Sequence, residues 1–91
     1  MFFYRTERIE KALIDAFSPD FLEIIDESYK HVHHNPKAGA GETHYKIIIS
    51  ADCFKGKSRI AIEREIHKIL KEEWQNGLHA LAIHYKPIAK E

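Results

Sequence analysis

An apolar stripe at helical spacing, Ile62, Ile66, Ile69, Leu70 and Trp74, lies between two strand-like runs at residues 43–51 and 78–85. This arrangement limits the fold more than any other feature of the chain. A strand, a helix and a second strand in succession form a βαβ crossover, which sets the two strands parallel and the connection right-handed. In the first of these strands, Ile47-Ile48-Ile49 is apolar on both faces, the pattern of a central strand. Ser58 is suited to cap the helix and Asn76-Gly77 to end it. The first turn, near Ser58, has room for a separate short helix. Pro87 ends the final strand.

The rest of the chain fits around that unit. Thr6 is a plausible N-cap, and Ile9, Leu13, Ile14 and Phe17 then recur at helical spacing, so the pattern predicts a helix over 5–17. Ser18-Pro19-Asp20 stops it, because proline disfavours helical geometry in the residue before it. Residues 21–26 read as a short strand. A polar stretch over 27–42 follows, holding Asn35-Pro36 and Gly39-Ala40-Gly41, and loops of this length are often functional. The predicted order is α-β-β-α-β, with a short extra helix before the long second helix as an option. The expected fold is a two-layer α+β domain spanning 1–91, with both helices on one face of a three-stranded mixed sheet and the other face partly exposed.

Composition removes several classes of function. Fourteen basic and fourteen acidic residues balance, so net charge provides no strong sequence-blind attraction to nucleic acid or anionic membrane. Cys53 is the one cysteine, which excludes an intramolecular disulfide and any cysteine-rich zinc site. The longest purely apolar runs, at 1–4 and 80–83, are too short to span a membrane, and no signal peptide is read at the N-terminus. A cytoplasmic protein is expected. No nucleophile elbow, Walker loop or His-Glu-x-x-His pair occurs, and nothing places Cys53 beside a histidine, so no enzyme is expected. Glu72 and Glu73 are adjacent on a helix and read as a solvated face.

Histidine is the unusual component, with seven in the chain and three in four positions at His31, His33 and His34. Imidazole ligates zinc, iron, copper or nickel, yet spacing alone also fits exposed loop residues. His44 and His79 stand at strand starts. Strand parity puts His79 on the side of Leu81, Ile83 and Tyr85, which fits either a half-buried histidine or a ligand pointing out at the strand's start. His67 reads as exposed. A second cluster is basic: Lys55, Lys57 and Arg59 surround Gly56 and Ser58 at a helix start, where backbone N–H groups can hold phosphate. The Gly-x-x-Gly clamp of a KH domain and the aromatic motif of an RNA-recognition sheet are both missing.

Several stretches together resemble the BolA family. Asp26-Glu27-Ser28 with His31 is similar to its D-E-S-x-x-H segment, Glu42-Thr43-His44-Tyr45 to its E-T-H-F strand entry, and Phe54-Lys55-Gly56-Lys57-Ser58 to its F-x-G-K-S turn. Leu70-Lys71-Glu72-Glu73 resembles its L-x-E-E helix end, and the stretch from Gly77 through His79 to Ile83 its I-H-A-L-S-I final strand. One departure stands out: the family usually carries Arg-His-Arg in the long helix, where this chain has Ile62-Glu63-Arg64.

The resemblance implies a class II KH-like fold and a partner, a monothiol glutaredoxin carrying glutathione, with which a 2Fe–2S cluster is shared. It implies that the isolated chain holds no cofactor. It also implies that His79 is one ligand and that a loop histidine is the other, His31 aligning best and His33 and His34 being near enough to replace it. Histidine ligation in place of thiolate is Rieske-like and raises the potential. Bacterial members are also described as DNA-binding regulators of morphology and stress genes. That second reading would use Lys55, Gly56, Lys57, Ser58, Arg59 and Arg64, on a helix whose Glu63, Glu65, Glu72 and Glu73 oppose phosphate.

Overall fold

The structure, a computed structural model, describes residues 4–31 and 41–85, the side chain of His31 excepted. Helix α1 (Arg5–Phe17) buries Ile9, Leu13 and Phe17, one residue per helical turn along a single face. Its N-cap is Tyr4 rather than Thr6. Arg5 is already drawn into the interior, so the helix begins before Thr6, whose hydroxyl instead pairs with that of Tyr45 at 2.8 Å. The chain leaves α1 through Ser18, whose left-handed φ of 45° still lets its N–H reach the Ile14 carbonyl.

Strands β1 (Phe21–Asp26), β2 (His44–Ser50) and β3 (Ala80–Tyr85) form one sheet in the order β1-β2-β3. β1 runs antiparallel to β2, with Phe21 opposite Ser50 and Asp26 opposite Tyr45. β2 runs parallel to β3, with His44 opposite Ala80 and Ile49 opposite Tyr85. The isoleucine run therefore lies in the central strand, as its two-sided apolar pattern predicts. A short 3-10 turn at Ser28–His31 follows β1, and another at Asp52–Phe54 follows β2.

The crossover is built from two helices. α2 (Arg59–Ile69) starts at Ser58, whose hydroxyl accepts the Ala61 N–H at 3.1 Å, and α3 (Lys71–Gln75) follows at once. The predicted single long helix is thus interrupted at Leu70, and the separate short helix read near Ser58 lies earlier, as the turn at Asp52–Phe54, because Ser58 itself caps α2. Leu70 takes φ −94° and ψ 17°, outside helical geometry, while staying buried.

Tyr45, Ile47 and Ile49 face the helices, where Ile9, Leu13, Phe17, Ile62, Ile66 and Leu70 close one core over them. Ile62 stands where the family has its first arginine and is 2% exposed, so here that position extends the core. Removing a large side chain such as Ile47 should cost about 2–5 kcal/mol. Among the described residues, no helix is long and apolar enough to cross a membrane.

Candidate functional site

Two of the family-like motifs meet at the end of the sheet where β2 begins. Asp26, the last residue of β1, accepts the N–H and hydroxyl of Ser28 at 2.9 and 2.5 Å and the Glu42 N–H at 2.9 Å. Burial pushes the Asp26 carboxyl up, but these hydrogen bonds outweigh it and hold the group below its ordinary value. Ser28 Oγ in turn accepts the backbone N–H groups of Thr43 and His44 at 3.0 and 3.1 Å. Thr43 Oγ1 lies 2.8 Å from His44 Nδ1. A buried polar chain therefore runs from Asp26 through Ser28 and Thr43 to the His44 ring, which is itself buried.

His79 joins this corner from the next strand. The Thr43 carbonyl accepts N–H groups from both His79 and Ala80, at 2.8 and 3.1 Å, so the start of β3 is fastened to the start of β2. The His44 and His79 rings lie 5.1 Å apart between centroids, tilted by 47°. His79 sits one residue before β3 and is exposed, so the half-buried alternative fails: strand parity loses its meaning beyond the end of the sheet.

A second network holds both histidine-bearing segments from below. Arg5 donates through Nε to Glu73 at 2.9 Å, through Nη1 to the Glu42 carbonyl and through Nη2 to the Asn76 carbonyl at 2.6 Å, while its backbone N–H meets the Glu42 side chain. Glu42 leads into His44 and Asn76 into His79, so one guanidinium ties the two approaches together. Gly77 makes room for it: φ is +117°, and a Cβ there would lie 3.2 Å from Arg5 Nη2.

Glu73 also accepts Arg8 Nε and Nη2, at 2.8 and 3.0 Å. Hydrogen bonding from Arg8 is the largest influence on the Glu73 carboxyl. With Arg5 it overcomes burial and holds the group below its ordinary value. This corrects the solvated-face expectation for Glu73, which is 9% exposed; Glu72 alone is exposed. The signal lay in the spacing, since Glu73 follows Leu70 by three and so continues the stripe of Ile62, Ile66 and Leu70.

The structure brings some of the other candidate residues together and not others. His31 closes the Ser28–His31 turn, but its side chain lies outside the described residues, as do His33 and His34. The basic turn does gather Lys55, Gly56, Lys57, Ser58 and Arg59. Each of its cations, however, is paired with a carboxylate: Lys55 with Asp52 at 2.9 Å, Lys57 with Glu65 at 2.7 Å and Arg59 with Glu63 at 3.1 Å. Arg64 stands apart. Lys57 and Arg59 line a hollow of about 400 Å³ with His84, whereas Arg64 lines a groove of about 520 Å³ with Ile60, Glu63, His67, Lys68 and Lys71.

Imidazole suits iron, and the exposed His79 ring on a fastened strand end fits a cluster ligand by donor chemistry. Among the described residues, no three of His, Cys, Asp and Glu gather into a metal-ready group. His44 and His79 thus bring at most two imidazoles to this corner. Sequence reading left His44 without a role. The signal that would have found it is the parallel pairing of β2 with β3, which brings the two strand starts side by side.

Comparison with known proteins agrees with this architecture. A family model described as BolA-like protein matches residues 13–89. The chain is 45% identical over 78 residues to the DNA-binding transcriptional regulator BolA of Escherichia coli, covering 86% of this chain and 70% of that one. It is 40% identical over 82 residues to the UV-induced protein uvi31 of Schizosaccharomyces pombe, covering 87% and 80%. The BolA domain of SufE1 from Arabidopsis thaliana superposes with a TM-score of 0.82 at 38% identity, covering 96% of this chain and 95% of that one. With sequence motifs, sheet order and overall superposition in agreement, the chain belongs to the BolA-like protein family.

Proposed function

We propose that this protein is a non-enzymatic adaptor that binds a monothiol glutaredoxin and shares a bridging 2Fe–2S cluster with it, in iron–sulfur trafficking or in iron and redox sensing. The observation that carries this reading is His79: an exposed imidazole at a strand end whose backbone is fastened to Thr43, beside a second imidazole. Imidazole in place of thiolate leaves the cluster less negative and raises its potential, and glutaredoxin and glutathione would supply the thiolates. The test is to mix the pure protein anaerobically with cluster-loaded monothiol glutaredoxin and record visible circular dichroism. A new cluster spectrum that disappears with His79→Ala is expected. An unchanged spectrum, with the glutaredoxin homodimer intact, would sink the reading for that partner.

A second reading, contact with DNA, is favoured by a relative's name and by one surface feature. The Escherichia coli relative is named a DNA-binding transcriptional regulator. The acidic residues that oppose phosphate on α2 and α3 are largely neutralised, because Glu63, Glu65 and Glu73 are all held by cations. Arg64, Lys68 and Lys71 have no carboxylate partner among the described residues and share one groove with Glu63, which Arg59 holds. This reading therefore moves DNA contact from the Gly56 turn toward the groove along α2 and the start of α3. Replacing all three should lower the magnitude of the salt slope of DNA binding by about 3, near one unit per lost phosphate contact. An unchanged slope refutes it.

A further inference from the structure

We propose that the groove along α2 and the start of α3 is a docking surface for an acidic segment of a partner protein, one that carries a large apolar side chain beside its carboxylates. The surface uses no residue of the histidine corner, so the inference stands apart from the cluster reading. Its rival is the reading of DNA contact, which claims the same groove. Ile60, Arg64, His67, Lys68 and Lys71 recur at helical spacing, are exposed, and alternate with the buried Ile62, Ile66 and Leu70. Ile60 is 63% exposed. A single exposed isoleucine needs no explanation by itself. Here it opens a groove of about 520 Å³ with a mostly apolar surface, within the volume range of ordinary ligand clefts. Long basic side chains add carbon stems to such a surface while their charged ends reach water.

Charge selects the occupant. None of the ion pairs among the described residues involves Arg64, Lys68 or Lys71. Glu63, the acidic residue of the groove, is held by Arg59 at 3.1 Å, so the balance there stays positive. The uncompensated cations extend over about 10 Å of helix, and the apolar end at Ile60 lies one turn before them. A partner helix with one large apolar side chain, and carboxylates at the following turns, matches that order: the helix-in-groove mode with complementary charge along it. DNA fits less well. A phosphate backbone has no apolar group to cover Ile60, and the zero net charge of the chain adds no long-range pull on a polyanion. The floor is also fixed in advance. Ile62 and Ile66 hold α2 in the core, and the His67 ring stacks on Trp74 at 5.0 Å between centroids, 13° from parallel. A surface already in place loses little freedom on binding.

The test uses the whole chain and three kinds of probe. The first is a helical peptide of about 15 residues with Leu at i and Glu at i+4, i+8 and i+11, made in both sequence directions. The second is the same pair with serine in place of the leucine. The third is duplex DNA of random sequence. Trp74 is the one tryptophan and stacks on a ring that lines the groove, so its fluorescence reports occupancy, and amide NMR shifts locate it. A leucine-bearing peptide should bind at millimolar concentration or below, with shifts centred on residues 60–71. Loss of its leucine, or Ile60→Ser at an exposed position of the protein, should each weaken binding about tenfold. Replacing Arg64, Lys68 and Lys71 together by glutamine should weaken it further and flatten its salt dependence. No shift in residues 60–71 with either peptide direction, or equal binding of the leucine-free peptides, overturns the proposal. So does duplex DNA that shifts the same residues, binds more tightly than the peptides and ignores Ile60→Ser, which would make the groove a nucleic-acid face. The cluster test at His79 stands or falls separately from all of these results.

Discussion

Replacing Glu73 by alanine should destabilise the fold by about 3 kcal/mol, because it removes the carboxylate from a buried cation. The magnitude follows from the two arginines it holds. The Arg8 side chain is 42% exposed, so water replaces most of what it loses, and its share is at most about 1 kcal/mol. The Arg5 side chain is only 10% exposed and cannot be rehydrated without moving α1. Breaking a buried pair by removing one partner costs about 3–5 kcal/mol. Arg5 keeps the Glu42 and Asn76 carbonyls, which places the cost at the low end of that range. A chain of this length has a total stability of about 5–14 kcal/mol, so the loss is a large fraction of it. The melting temperature should fall by roughly 12–24 °C. Urea titration is the assay, with the midpoint shifting while the slope m stays constant. Arg8→Ala is the control, expected within about 1 kcal/mol of wild type. A Glu73→Ala cost below about 1 kcal/mol, or an Arg8→Ala cost equal to it, would refute the assignment of the penalty to a buried Arg5.

Further outcomes follow from the same contacts. Asp26 and Glu73 both have carboxyl groups held below their ordinary values, so the unfolded chain binds protons more readily than the folded one. Stability should be level above about pH 5 and fall as pH drops through the carboxylate range, and a melting temperature that rises on acidification contradicts this. Ser28→Ala leaves the Thr43 and His44 N–H groups unpaired in the interior and should cost about 2 kcal/mol, with faster hydrogen exchange at those two amides; unchanged exchange there would refute it. Gly77→Ala combines a strained φ with a Cβ pressed on Arg5 and should cost about 1–3 kcal/mol, most of which should vanish in an Arg5→Ala background if the contact dominates.

Much of the fold was legible because it rests on short-range pattern. Ile9, Leu13 and Phe17 at helical spacing, the two-sided isoleucine run and the helix between two strands specify α1, a central β2 and a parallel β3 through periodicity and handedness alone. The break at Leu70 was not legible. No proline or glycine marks it, and the apolar stripe continues across it, with Leu70 buried at the break. Glu73 shows the limit from the other side. Its spacing from Leu70 places it on the buried face, but which cations meet it there, Arg5 and Arg8 from a helix 65 and more residues away, is not written in the local sequence.

The site divides in the same way. By itself the sequence determined which residues can do the chemistry: a neutral chain with one cysteine and seven histidines, His79 at a strand start and a basic turn around Gly56. Tertiary structure alone decided which of them act together. Pairing β2 with β3 sets His44 beside His79, and a polar chain from Asp26 runs through Ser28 and Thr43 to the His44 ring. Ion pairs balance the turn's cations and leave Arg64, Lys68 and Lys71 uncompensated among the described residues. Periodicity describes one element at a time. Hydrogen bonding, burial and charge compensation depend on distances between elements, and those exist only once the sheet and its helices have closed on one another.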